Sequence, residues 1–214
     1  MVVKYKKFRL ELLKICCIKG DTVLFSNLSV EINGGTALQV KGGNGAGKTS
    51  LLRIITGVSQ PFSGQVLWQS LPIGKQRDFF KGSIFFLGHR DCLKPDLTLQ
   101  ENVNFLLDLN GIVVTEAQLK HDLDFWGLGR AVDILTANLS RGQKKRIGLM
   151  FLKYSRCKPL WILDEPLSGL DSEGVERVID QIDGHLKHGG ITIFTSHNQA
   201  KVKFPIKTLS VSGK

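Results

Sequence analysis

Apolar residues recur along this chain with two different periods. The runs TALQV (36–40), SIFFL (83–87), LWIL (160–163) and ITIFT (191–195) are short and nearly all apolar. Strands buried on both faces, as in a parallel sheet, carry that pattern. Between them the period lengthens. KTSLLRIIT (48–56) places Leu51, Leu52, Ile54 and Ile55 at helical spacing and ends at Gly57. Val175, Val178, Ile179, Ile182 and Leu186 keep the same spacing, and Gly189 and Gly190 close that helix. The alternation predicts an α/β core, a mostly parallel sheet with helices on both faces. Ahead of it, TVLFSNLSVEI alternates residue by residue, so the first 35 residues are expected to form antiparallel strands beside the core.

Residues 90–156 break the alternation. ENVNFLLDL (101–109) is helical in pattern. TEAQLKHDLDFW (115–126) opens on a capping box of Thr115 and Gln118, and QKKRIGLMFLKY (143–154) follows a second one, of Ser140 and Gln143. A helical insert of roughly 50 to 60 residues is therefore expected within the sheet order. No repeat, low-complexity tract or linker divides the chain, and one domain over 1–214 is expected.

The 214 residues suffice for one sizeable core. No apolar run approaches the roughly 18 residues of a membrane span. Glu11 and Lys14 interrupt the apolar residues of the basic N-terminus, so no signal peptide is expected. Cys16, Cys17, Cys92 and Cys157 form neither a Cys-x-x-Cys pair nor a zinc-spaced cluster with histidine, which points to reduced thiols. The net charge of +10 gathers at Lys4, Lys6, Lys7 and Arg9, at Arg141, Lys144, Lys145 and Arg146, and at Lys201, Lys203 and Lys207. A solvated lysine-rich surface, an anionic membrane surface and nucleic acid all fit such clusters. The absence of interleaved aromatics weakens the single-strand reading.

Chemistry enters at GGNGAGKT. Gly42-x-x-x-x-Gly47-Lys48-Thr49 matches the full P-loop pattern, between a strand ending near Val40 and a helix starting near Lys48. Gly42, Gly43, Asn44, Gly45, Ala46 and Gly47 turn backbone N–H groups toward phosphate oxygens, and the helix N-terminus adds its dipole. Lys48 is expected on the β- and γ-phosphates, and Thr49 on Mg²⁺. LWILDEP supplies the complement: Asp164, at a strand end, to hold Mg²⁺ through water, and Glu165 to polarise the attacking water. His197 of TSH, at the end of another strand, is expected to reach the γ-phosphate.

The order P-loop, LSRGQ, LWILDEP, SGLD and TSH resembles the ATP-binding subunits of ABC transporters, over essentially the whole chain. The resemblance implies a P-loop NTPase fold, the ABC ATPase cassette, with ATP and Mg²⁺ as ligands. It also implies head-to-tail pairing of two copies. Ser140, Gly142 and Gln143 of one signature segment would then close over the γ-phosphate held by the other copy's P-loop, and Asp171 of SGLD would communicate between the paired sites. Arg141 stands where a second glycine is common. Alignment on LTLQENV places His89 where the family has a glutamine near the metal, and Ile18 stands near the position that usually stacks an aromatic on adenine.

GHRDCLKPDLTLQEN, GQVLWQS, NLSRGQKKRIGL and LWILDEPLSGLD together are similar to the ATP-binding subunit of the haem exporter of bacterial cytochrome c maturation. That likeness implies a polytopic membrane partner, a place at the cytoplasmic face of the inner membrane, and no direct contact with haem or nucleic acid. An ABC subunit for a lipid, drug or amino acid is the alternative, because cassette motifs do not encode cargo. Chromosome-organising members need a far longer insert, and translation-associated members need two cassettes in one chain.

Overall fold

The computed structural model describes residues 8–88, 93–196 and 202–211. The chain opens with the strands β1 (Arg9–Lys19), β2 (Thr22–Asn33) and β3 (Thr36–Lys41), followed by helix α1 (Lys48–Ile55). Strands β4 (Ser63–Trp68) and β5 (Leu71–Pro72), helix α2 (Arg77–Ser83) and strand β6 (Ile84–Leu87) come next. Three helices then intervene, α3 (Leu99–Leu109), α4 (Glu116–Phe125) and α5 (Arg141–Tyr154). Strand β7 (Leu160–Leu163), helix α6 (Ser172–Lys187) and strands β8 (Ile191–Thr195) and β9 (Ile206–Ser210) complete the order.

Two sheets result. One is antiparallel in the order β2-β1-β4-β5, and the other is β6-β7-β8-β3-β9 with all its pairs parallel. The chain therefore has the expected α/β architecture, with parallel core strands and an antiparallel N-terminal sheet. Side chains in the parallel strands divide by parity, as the pleat requires. Leu38, Val40, Leu160, Ile162, Ile191 and Ile193 pack with α1 and the antiparallel sheet. Ala37, Trp161, Leu163 and Phe194 pack with α3, α4, α5 and α6. So α1 lies between the two sheets, and the helices of the 88–159 region lie on the opposite face.

Two expectations need correction. SIFFL does not begin a strand at Ser83, which ends α2, and its residues are not fully buried: Phe86 is 36% exposed. The reason is position, since β6 is the edge strand and has a neighbour on one side only. The helix read from residue 101 begins at Leu99, because Thr98 and Glu101 form a third capping box. Asn102, one turn into α3 and fully buried, donates to the carbonyls of Lys94, Leu97 and Thr98 and to Thr136 Oγ1. It also accepts from Lys94 N, so one amide ties the start of the helical region together.

Candidate active site

The loop between β3 and α1 carries the P-loop residues. Gly45 and Gly47 have φ of +78° and +98°, the left-handed region that favours glycine. A side chain at Gly47 would also meet the Phe25 ring at 3.0 Å, and one at Gly42 would meet the Val211 carbonyl oxygen at 2.4 Å. Gly45 is thus required by dihedral, Gly42 by room, and Gly47 by both. Gly43, Asn44 and Gly45 are exposed at the tip, with Ala46 behind them. Lys48 is buried, and its ammonium donates to the carbonyls of Gly42 and Gly43 at 2.9 and 3.0 Å, inside the curl of the loop.

Strand β7 ends beside this loop. Asp164 follows its last residue and is only 5% exposed. Thr49 Oγ1 donates to Asp164 Oδ2 at 2.8 Å across 115 residues of sequence. The other carboxylate oxygen, Oδ1, accepts from Thr195 Oγ1 at 2.7 Å. The Thr195 hydroxyl in turn accepts from Glu165 N at 2.7 Å. Parallel pairing explains the meeting: Leu163 stands opposite Phe194, so the next residues, Asp164 and Thr195, emerge together at the carboxyl ends of β7 and β8. Ligand sites in open α/β sheets gather at that edge. Glu165 has φ +51°, unusual for a residue with a side chain, and its carbonyl accepts from Lys145 Nζ.

The signature residues stand elsewhere. Ser140 caps α5: Gln143 N donates to its Oγ at 3.2 Å and Ser140 N donates to Gln143 Oε1 at 2.9 Å. Ser140 is exposed and Gly142 half-buried at the free N-terminal end of α5. Among the described residues no hydrogen bond joins this box to the P-loop. Asp171 caps α6 by accepting from Gly174 N at 2.8 Å, and its second oxygen lies 3.9 Å from Arg146 on α5. So the structure brings Lys48, Thr49, Asp164 and Glu165 into one cluster and leaves Ser140, Gly142 and Gln143 facing outward. His89 and His197 lie outside the described residues.

Two members of the cluster escaped the sequence reading. Thr195 lies in TSH, where His197 is the candidate, and Lys145 lies in a basic run that reads as surface charge. A threonine at a strand end aligned with the carboxylate strand is a weak signal. For Lys145 the sequence holds none, since three other basic residues surround it in 141–146.

The donor set suits a hard divalent cation: a hydroxyl and a buried carboxylate, held 2.8 Å apart, are the oxygen ligands Mg²⁺ prefers. No helix among the described residues is long and apolar enough to cross a membrane.

Comparison with known proteins agrees with this geometry. The profile of the family described as ABC transporter matches residues 25–168. The chain is 41% identical over 194 residues to a Pasteurella multocida protein named cytochrome c biogenesis ATP-binding export protein CcmA, covering 91% of each. The Methylococcus capsulatus protein of that name is 39% identical over 196 residues, 92% of this chain and 94% of its own. Among solved structures, a putative ABC transporter ATP-binding protein from Pyrococcus furiosus superposes with a TM-score of 0.76 at 22% identity, over 96% of this chain and all of that one. An ATP-bound bacterial Atm1-family ABC exporter gives 0.79 at 17% identity, over 97% of this chain and 38% of the exporter. At those identities the structural likeness speaks for the fold alone.

Proposed function

This chain belongs to the ABC transporter family, as its ATP-hydrolysing subunit, and we propose that it powers a haem exporter of bacterial c-type cytochrome biogenesis. The identity of 41% over 91% of a cytochrome c biogenesis ATP-binding export protein carries that reading of the cargo. The cluster formed by Thr49, Asp164, Glu165 and the P-loop supports the chemistry. We read residues 1–214 as one ATP-binding domain.

In this proposal the backbone N–H groups of 42–49, with Lys48, hold the phosphates of ATP. Thr49 and Asp164 would hold Mg²⁺, which would supply positive charge against the phosphates of ATP. Glu165 accepts a proton from water as its oxygen bonds to the γ-phosphorus. The bond between that phosphorus and the β,γ-bridging oxygen breaks, and ADP leaves with the electron pair. From sequence order, His197 is assigned to the γ-phosphate and His89 to the metal side. Ser140, Gly142 and Gln143 face outward on α5, so the reading requires a second copy paired head to tail. Each copy's Ser140 would donate to the γ-phosphate on the other's P-loop, aided by the α5 dipole. Asp171 lies next to that contact.

The chain acts, in this reading, at the cytoplasmic face of the inner membrane, on a separate polytopic subunit. Isolating a tagged chain from solubilised membranes tests it. Recovery of a membrane subunit of cytochrome c maturation, with ATP hydrolysis by the complex, is expected. Recovery of a lipid, drug or amino-acid permease instead would refute the haem reading and leave the ATPase reading intact.

A further inference from the structure

The basic run at 141–146 reads as a solvated face, but Lys145 does not behave as one. Its ammonium donates to the carbonyl of Glu165 and, at 2.7 Å each, to the carbonyl and the hydroxyl of Ser168. An ammonium has three protons, and these acceptors occupy all of them. The turn itself closes around the contact, since Ser168 N and Ser168 Oγ both donate to the Glu165 carbonyl at 3.2 Å. Burial draws the lysine's pKa down, against the upward pull of Glu165 and Asp164.

The residue so gripped is one of the few non-glycine residues with positive φ among those described. Glu165 has φ +51°, a region that a residue with a Cβ adopts only when its surroundings hold it there. Its N–H is fixed by Thr195 Oγ1 and its carbonyl by Lys145. Hydrogen bonds on both sides of the Cα, with the Ser168 N–H and hydroxyl sharing the carbonyl, thereby set the direction in which its side chain leaves the backbone.

We propose that Lys145 is a positioning residue for ATP hydrolysis, which holds the Glu165 backbone from α5 so that the carboxylate is aimed at the attacking water. The proposal rests on the reading of Glu165 as the general base. Without the ammonium, the 165–168 turn loses its central donor and Glu165 relaxes toward negative φ. A displacement of about 1 Å at a catalytic group is worth roughly a hundredfold in rate. ATP binding by the P-loop uses none of these contacts. Lys145 also stands about 6 Å along the helix axis from Arg141, the first residue of α5. Movement of the outward-facing signature end would therefore be felt at Glu165 of the same chain.

The test is steady-state ATP hydrolysis by the full chain, purified with its membrane partner, for wild type, Lys145→Met and Lys145→Arg, each with and without Glu165→Gln. Lys145→Met is expected to lower kcat by about ten- to a hundredfold with KM for ATP within about threefold, because a group acting only in the transition state is lost. Lys145→Arg retains donors and is expected to keep roughly a third or more of kcat. In the Glu165→Gln background, Lys145→Met should lower the residual rate by less than about twofold, there being no base left to aim. A kcat for Lys145→Met within about threefold of wild type overturns the proposal, as does a full-sized further loss in the Glu165→Gln background. Should Lys145→Met not fold, Ser168→Ala removes one acceptor and is expected to lower kcat by roughly threefold or more at unchanged KM; an unchanged kcat there also overturns it. Full activity of Glu165→Gln alone would sink the base assignment itself, and is distinguishable because Lys145 is untouched.

Discussion

Lowering the pH should destabilise this fold through one buried histidine. His185, on α6, is 4% exposed, and its ring lies flat on Trp161 with centroids 4.0 Å apart and planes 4° from parallel. Its Nε2 is 3.0 Å from the Lys158 carbonyl, which only accepts, so Nε2 carries the proton. Nδ1, 3.1 Å from Thr192 Oγ1, then accepts from that hydroxyl. The neutral ring is satisfied at both nitrogens. Burial, reinforced by nearby His188 and opposed by the Lys158 carbonyl, pushes its pKa down from 6.5 to about 4. Between those values the unfolded chain binds a proton that the folded chain refuses, so stability falls as pH drops from 6.5 toward 4 and is level above that window. The whole shift corresponds to about 3 kcal/mol, of which about 2.5 kcal/mol is lost by pH 4.5. The carboxylates held below their usual range, Glu101 and Asp122, lose their contributions at lower pH, because their unfolded values already lie near 4. Urea midpoints for wild type and His185→Gln between pH 7.5 and 4.5 provide the assay. The amide can donate to Lys158 and accept from Thr192 but does not titrate. The variant is expected to be less stable at pH 7.5, for want of the stack on Trp161, and to lose most of the acid slope. Equal slopes in the two proteins would refute the reasoning.

Lys48→Ala is expected to weaken ATP binding at least about tenfold, since a charge-assisted contact worth roughly 1.5–3 kcal/mol is lost; nucleotide titration with an unchanged affinity would contradict the P-loop assignment. Glu165→Gln is expected to bind ATP with Mg²⁺, to hydrolyse it about 10²–10⁴ times more slowly, and to accumulate as an ATP-dependent dimer in size-exclusion chromatography. Near-normal turnover, or a monomer at saturating ATP, would refute the base or the pairing respectively.

The legible parts of the fold are those whose pattern is set by their own burial. LWIL and ITIFT are central strands, covered on both faces, and their composition says so without help. SIFFL carries the same composition at the sheet edge, where Phe86 is partly open, so apolar content alone could not rank central above edge. Helix α2, with RDFFKGS, has too few turns for a period to show, and β4, with SGQVLW, is strand through its pairing with β1 and β5. The active-site residues divide in the same way. Lys48, Thr49, Asp164 and Glu165 sit in contiguous motifs whose chemistry is local. Thr195 and Lys145 meet the backbone of Glu165, 30 and 20 positions away, and only the folded chain reveals that.

The two stretches that the sequence offers as phosphate sites, at 42–49 and 140–143, differ in what surrounds them. The first is backed by a carboxylate, since Thr49 donates to the buried Asp164. The second is a capped helix end, and the same Thr/Ser-x-x-Glu/Gln box also caps α3 and α4. A capping box alone therefore marks a helix start and not a catalytic site. What sets Ser140 apart is the helix it opens: Lys145 on α5 grips the Glu165 turn, and Arg146 lies near Asp171. A donor exposed at the N-terminus of α5 thus stands about one turn from the lysine that grips Glu165 of its own chain. This is the arrangement expected if closing over a partner's nucleotide and aiming Glu165 at its own are parts of one movement.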